Sequence, residues 1–208
     1  MTQATILDRD RDTTQLRQQV IEWLSQQVCE RRLNHILRVE QMSIDLAKQH
    51  NLSVKKAAIA GLMHDLAKNF PPDRLLKMAR DRGLEIDIIL ENNPHLLHAE
   101  VGAIVARDEF GIEDEAILSA IGNHTLGRPE MSPLSCAVFL ADSLEPGRGD
   151  TPELNELRRE AQTDLYLGVW RAIDWTIGYL IDRHLPIHPR AVLTRNWALR
   201  QARSSIDL

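Results

Sequence analysis

Six residues of this 208-residue chain are of the types that hold metal ions and are too far apart for one helix to carry: His35, His64, Asp65, His98, His124 and Asp142. Four imidazoles and two carboxylates form a hard-to-borderline donor set suited to iron, manganese, zinc or nickel, with magnesium also compatible. Six donors exceed the needs of a tetrahedral zinc, whereas two ions sharing a bridging carboxylate would use them all. The His64-Asp65 dipeptide alone carries little weight, because eight His and sixteen Asp give about 0.6 such pairs by chance in a chain of this length. Its surroundings carry more. His64 and Asp65 follow the apolar run Ala57-Ala58-Ile59-Ala60-Gly61-Leu62-Met63, and Asp142 follows Ala137-Val138-Phe139-Leu140-Ala141. A carboxylate drawn into such surroundings needs a strong partner, and a metal accounts for it better than a surface salt bridge does.

Those residues must be positioned by helices. Apolar residues recur at helical spacing nearly everywhere, and no convincing pair of strands is visible. Leu16, Val20, Trp23, Leu24 and Val28 mark one face. A second helix runs through Leu33, Ile36 and Leu46 to the Asn51-Leu52-Ser53 break. Ser53 caps a third helix, Val54 to Ala67, which Pro71-Pro72 ends, and the same prolines open a fourth that stops near Gly83. Helices are further predicted from Leu96 to Phe110, with Gly111 as the stop, from Asp114 to Thr125, and from the Ser132-Pro133 start to Leu144. Glu145 to Pro152, with two Gly and two Pro, reads as a loop. Glu153 to Gln162, Asp164 to His184 and Pro189 to Ala202 complete nine or ten helices of a single all-α domain. The six donors then come from five separate helices.

Composition narrows the function classes. At 26% charged and 43% apolar residues, the chain is an ordinary globular one, long enough to bury a sizeable core. Its net charge of -5 provides no global basic field, and no aromatic-basic interleaving points to nucleic acid. Cys29 and Cys136 are too few and too far apart for a disulfide framework or a cysteine-rich zinc site. No apolar run is long enough to span a membrane and the N-terminus is polar, so a cytoplasmic protein without membrane partners is expected.

The order His35, His64-Asp65, Asp142 matches the His…His-Asp…Asp signature of the HD-domain metal-dependent phosphohydrolases, an all-α superfamily, with His98 and His124 where two-metal members have them. Four stretches, Gly61 to Lys68, Leu96 to Ala103, Ala120 to Gly127 and Ala141 to Arg148, resemble the successive motifs of the YqeK-type bacterial hydrolases. The likeness runs from about Cys29 to Asn196. Two departures stand near the site: Leu126 where the family often repeats a Thr, and Ser143-Leu144 where an aromatic residue and an Ile are usual. The resemblance implies a symmetrical bis(5'-nucleosyl)-tetraphosphatase, cleaving diadenosine tetraphosphate to two ADP at a di-iron centre. It implies that His35, His64, Asp65 and Asp142 hold one metal and Asp65, His98 and His124 the other, with a metal-bound hydroxide attacking the middle of the polyphosphate. It also implies a domain over 26–200, preceded by an extension and first helix (1–25) and followed by a tail (201–208). Other readings are an HD hydrolase of a nucleoside monophosphate, cyclic nucleotide or guanosine alarmone, and a metal-containing helical scaffold without catalysis.

Charge developing on the substrate needs cations. Lys68, spaced to lie beside His64 and Asp65, and Arg148, in the Gly/Pro loop, are the candidates, with Asp65 completing the catalytic set. Glu145 is placed to contact substrate, to support a metal ligand from behind or to position Arg148, and Thr125 to bond a phosphate oxygen or end its helix. Gly102, four residues after His98, is expected to face a crowded neighbour. His95 is placed outside the ligand set, and His50, His184 and His188 at the surface or at caps. Trp170, Trp175, Trp197 and Tyr179 read as core or homodimer contacts rather than a base-stacking platform.

Overall fold

Side-chain caps set most of the helix starts. Ser53 accepts from Lys56 N, Asp114 from Ala116 N and Ile117 N, Ser132 from Ser135 N, Thr151 from Leu154 N, and Asp164 from Tyr166 N and Leu167 N. Each removes an orphan N–H of a first turn. The computed structural model describes the backbone of residues 3–206 and the side chains of 13–202. Its α-helices are α1 (Gln3–Gln27), α2 (Glu30–Gln49), α3 (Val54–Met63), α4 (Pro72–Asp81), α5 (Ile88–Asn92), α6 (His98–Phe110), α7 (Glu115–Asn123), α8 (Pro133–Leu144), α9 (Pro152–Thr163), α10 (Leu165–Asp182) and α11 (Pro189–Ile206). Two 3₁₀ turns, Pro94–Leu97 and Pro146–Arg148, complete the described elements, none of which is a strand. No described helix is long and apolar enough to cross a membrane.

The all-α expectation holds, with eleven α-helices rather than nine or ten. The additional one, α5, has five residues, too short to show a period, and is started by Asp87 accepting from Ile89 N and Leu90 N. The third helix stops at Met63 instead of Ala67. Leu66 N bonds Met63 O and Lys68 N bonds Asp65 O, so the chain tightens into i→i−3 turns through His64 and Asp65. The helix expected from Leu96 begins at His98, because Pro94 first imposes a 3₁₀ turn. At the chain ends, Val20 and Leu24 of α1 are fully buried and Arg17 grips Glu40 of α2 through two bonds of 2.7 and 2.9 Å. Helix α1 thus packs onto α2, and α11 runs to Ile206.

Two apolar clusters meet at the centre. One gathers α1 to α4, α6 and α7 around Met63, Leu66, Val101 and Ile121; the other gathers α8 to α11 around Leu140, Leu157 and Val169. Helices α2 and α8 belong to both, Ile36 and Val138 facing one cluster and Val39 and Leu140 the other. Helix α8 is buried at every position from Leu134 to Ala141, a stretch apolar but for Ser135, whose hydroxyl bonds Asn123 and Ser132. Its polar end emerges at the seam between the clusters, and the six donors collect there.

Candidate metal centre and its flanking cavities

Four imidazoles are fixed in one tautomer. His64 Nδ1 donates to Gly61 O at 2.7 Å, His124 Nδ1 to Ile121 O at 2.7 Å, His98 Nδ1 to His95 O at 2.5 Å and His35 Nδ1 to Glu145 Oε1 at 2.9 Å. These oxygens only accept, so each Nδ1 carries a hydrogen, and the atom left to face inward as a lone-pair donor is Nε2, the arrangement a metal-binding histidine needs. The four Nε2 atoms converge. Those of His98 and His124 stand 3.0 Å apart, and those of His35 and His64 are buried without a hydrogen-bond partner. Lone pairs facing one another in a buried space repel unless a cation lies among them.

The carboxylates divide the rings into two sets. Asp65 Oδ2 lies 3.5 Å from His64 Nε2 and 3.9 Å from His35 Nε2, while its Oδ1 lies 3.4 Å from His98 Nε2 and 3.8 Å from His124 Nε2. Asp142 Oδ1 adds to the first set, 3.1 Å from His35 Nε2 and 3.9 Å from His64 Nε2. Two groups of donor atoms, His35/His64/Asp142 and His64/Asp65/His124, each fit within 4.8 Å. Asp65, buried, faces both sets with different oxygens, as a bridging ligand must; Asp142 is a fifth exposed and opens toward solvent.

Electrostatics follow from this crowding. Burial, then the charges of His98 and His64, push His124 down to about 3, so its ring stays neutral. Burial alone would raise Asp65, but His64, His98 and Lys68 outweigh it and hold the carboxyl well below the usual range. Asp142 is likewise held low, by His35 and the neighbouring charges, against its own burial. Burial lowers Lys68, an effect that Asp65 and Asp142 only partly oppose.

The remaining candidates fall into place around the rings. Lys68 Nζ and Thr125 Oγ1 each lie 3.2 Å from His98 Nε2. Arg148 is held at the rim by Asp142, through its carbonyl at 2.8 Å and its Oδ1 at 2.6 Å. The partner expected for Arg148, Glu145, is elsewhere. It is buried behind His35, with Oε1 on His35 Nδ1 and Oε2 accepting from Arg38 Nε and, at 2.5 Å, from Gly147 N. Its carboxyl, despite burial, is held down to about 2 by Arg38 and His35. Both oxygens are thus taken, so of the expected roles for Glu145 the geometry matches that of an anchor behind the His35 ring. In Glu145→Gln the amide cannot accept from His35 and Arg38 together, so metal affinity is expected to fall roughly 10- to 100-fold, read by chelator competition.

Gly102 meets its expectation in a specific way: a Cβ there would stand 3.3 Å from His64 O, pressing on the turn that carries His64. His95 contributes only its carbonyl, to His98. His188 caps α11, accepting from Arg190 N at 3.1 Å, and His50 ends α2 with a bond to Ala161 O. Trp197 is core, paired edge-on with Tyr166. Trp175 departs from the core reading: it is 46% exposed and lines a cavity that also contains Lys68, His98 and Thr125. Arg32 and Arg38 were not foreseen at the site, although Arg32, His35 and Arg38 share one helical face. Arg32 donates to Asp65 Oδ2 at 3.0 Å.

Two cavities flank the cluster. One of about 440 Å³ contains Leu126 and Ser143, the two departures from the family pattern, besides Trp175. The other, about 380 Å³, is lined by Arg31, Arg32, Arg38 and Arg148. A larger cleft of about 700 Å³ lies behind α6 and α7, away from the rings, with Arg82, Arg107 and Arg190 paired to Asp108, Glu115 and Glu100.

Helices packed around an inward-facing cluster of imidazoles and carboxylates define the HD-domain class, and the HD domain model matches residues 32–147. The chain is 38% identical to the symmetrical bis(5'-nucleosyl)-tetraphosphatase of Bacillus subtilis over 87% of its own length and 96% of that protein, and 36% identical to the same-named protein of Halalkalibacterium halodurans over 88% and 97%. The crystal structure of a predicted HD superfamily hydrolase involved in NAD metabolism from Clostridium acetobutylicum superposes with a TM-score of 0.84 at 34% identity, covering 88% of this chain and 97% of that one. The chain belongs to the HD-domain family, in the branch that holds these relatives. An HD domain binds divalent metal, and the described residues supply its His/Asp clusters.

Proposed function

We propose that this protein hydrolyses dinucleoside tetraphosphates symmetrically, converting diadenosine tetraphosphate to two ADP, with a pair of divalent ions held by His35, His64, Asp65 and Asp142 and by Asp65, His98 and His124. The observation that carries the reading is the set of four Nε2 lone pairs turned toward two carboxylates by Nδ1 anchors, with Lys68 and Arg148 beside them. The names of the relatives supply the substrate class. The donors suit iron, manganese, zinc or nickel alike, with magnesium compatible, and we assign iron on the resemblance to the YqeK-type hydrolases. When bound, such ions polarise phosphoryl oxygens and make a water acidic enough to attack near neutral pH.

The chain's own groups do the rest. Asp65 and Asp142 bring negative charge to the cations and keep the rings in register. Lys68 Nζ, beside His98 Nε2, stands where a phosphate oxygen would approach, and its ammonium offsets charge as the bridging oxygen departs. Arg148, aligned by Asp142, turns its guanidinium fork to the rim, where it grips a neighbouring phosphate. Thr125 Oγ1 offers a hydroxyl to a phosphate oxygen of the same half. The test is anaerobic assay of iron-loaded protein with product identification. ADP as the sole nucleotide product from diadenosine tetraphosphate is expected; ATP with AMP overturns the reading.

A further inference from the structure

The cavities on either side of the rings differ in chemistry. The first sets Phe139, Ile173, Trp175, Ile177 and Leu180 opposite Lys68, His98 and Thr125. Its wall is largely α10, which is tied to the core by Val169 and Ala172 and leaves Trp175 exposed. An indole left 46% exposed beside cations is a surface ready to accept a flat ring. The second cavity has four guanidinium groups, Asn69, His35 and the Glu145 carboxylate, whose oxygens are taken by His35, Arg38 and Gly147 N, but no Trp, Tyr, Phe or branched aliphatic side chain among its described lining residues. Three of its arginines are already oriented, Arg32 by Asp65, Arg38 by Glu145 and Arg148 by Asp142, and each retains further N–H groups. Arg31 is exposed at its edge. Such a groove recognises phosphate and little else. Arg148 borders both cavities, so one polyphosphate chain crossing the rings reaches both.

Resting on the function proposed above, we infer that the two halves of the substrate are held by unlike means: one nucleoside lodges against Trp175, and the other half is gripped by its phosphates alone in the arginine groove. The second nucleoside is then dispensable, and a mononucleoside tetraphosphate is a further substrate. The bond cleaved is the same, between the second and third phosphates from the nucleoside. A water oxygen bonds to phosphorus, the bridging P–O bond breaks with its electron pair on the departing phosphate, and the water proton leaves to solvent. The products are a nucleoside diphosphate and pyrophosphate, with no co-reactant.

Iron-loaded protein is assayed with diadenosine tetraphosphate and adenosine 5'-tetraphosphate, and binding of ADP and of pyrophosphate is measured separately by calorimetry. The two tetraphosphates are expected to give kcat/KM values within roughly fivefold of each other, because groove contacts go to phosphate. Trp175→Ala is expected to weaken ADP roughly tenfold and leave pyrophosphate unchanged, with Trp175→Phe recovering most of the loss. Arg31→Glu is expected to lower kcat/KM for both tetraphosphates alike, by roughly three- to tenfold and less at high salt. Adenosine 5'-tetraphosphate reacting a hundredfold or more slower than the dinucleotide, or ADP binding indifferent to Trp175→Ala, overturns the inference while leaving the tetraphosphatase reading standing. No reaction with the dinucleotide overturns that reading itself.

Discussion

Asp65→Asn is expected to lower turnover of diadenosine tetraphosphate by about 10³-fold, the rate equivalent of roughly 4 kcal/mol of lost charge stabilisation. Its two oxygens face different pairs of rings, so a single change touches both ion positions. An amide keeps the shape but supplies one weak oxygen donor and an NH₂ that confronts bare Nε2 atoms or Arg32. Metal content by elemental analysis is therefore expected to fall along with activity, most steeply for the ion beside His98 and His124, which has no second carboxylate. The ion beside His35 and His64 retains Asp142. Removing the charge of the outer ligand instead, in Asp142→Asn, is expected to cost less metal and to loosen Arg148, which keeps its bond to the carbonyl of residue 142 but loses the charged partner of Nη2. Equal metal content and undiminished turnover in Asp65→Asn would contradict the bridging role.

The donor set was legible because its chemistry is unusual for its setting: carboxylates placed directly after apolar runs have few other uses. Helix starts at Ser53, Asp114 and Ser132 were legible because their caps are local, closed within three residues. What was not legible depends on distant contacts. Glu145 lies 110 residues from His35, and nothing near Pro146 shows which ring its carboxylate meets. Arg32 and Arg38 sit on the amphipathic α2, where arginines usually mark a solvated face; only their spacing of three on either side of His35 hinted that this face turns inward at the seam. Period alone marks Trp175 with the other aromatics as a core or dimer contact, and cannot say which turn of α10 overhangs a cavity. The His64-Asp65 turn was drawn as helix, since i→i−3 and i→i−4 bonding leave the same apolar pattern over so few residues.

Lys68→Met is the second large effect expected, about 10² to 10³-fold in kcat, the size found when one preorganised donor to a developing negative charge is removed. The ammonium stands 3.2 Å from His98 Nε2; burial and, less so, Arg32 and Arg148 lower its proton affinity, against the charges of Asp65 and Asp142. Lysine is held in this confined place for its charge, since an apolar side chain of the same length would pack with no desolvation cost. Methionine fills that volume, so the fold and the metal content are expected to survive, and the loss is expected to fall on kcat more than on KM. Lys68→Arg is expected to recover only part of the rate: the charge returns, but a planar fork replaces a compact ammonium between His98 and Thr125. If Lys68 were merely a neutralising partner for Asp65, the methionine variant would lose metal or melt earlier while keeping kcat. Metal content, melting temperature and the split between kcat and KM together separate the two roles.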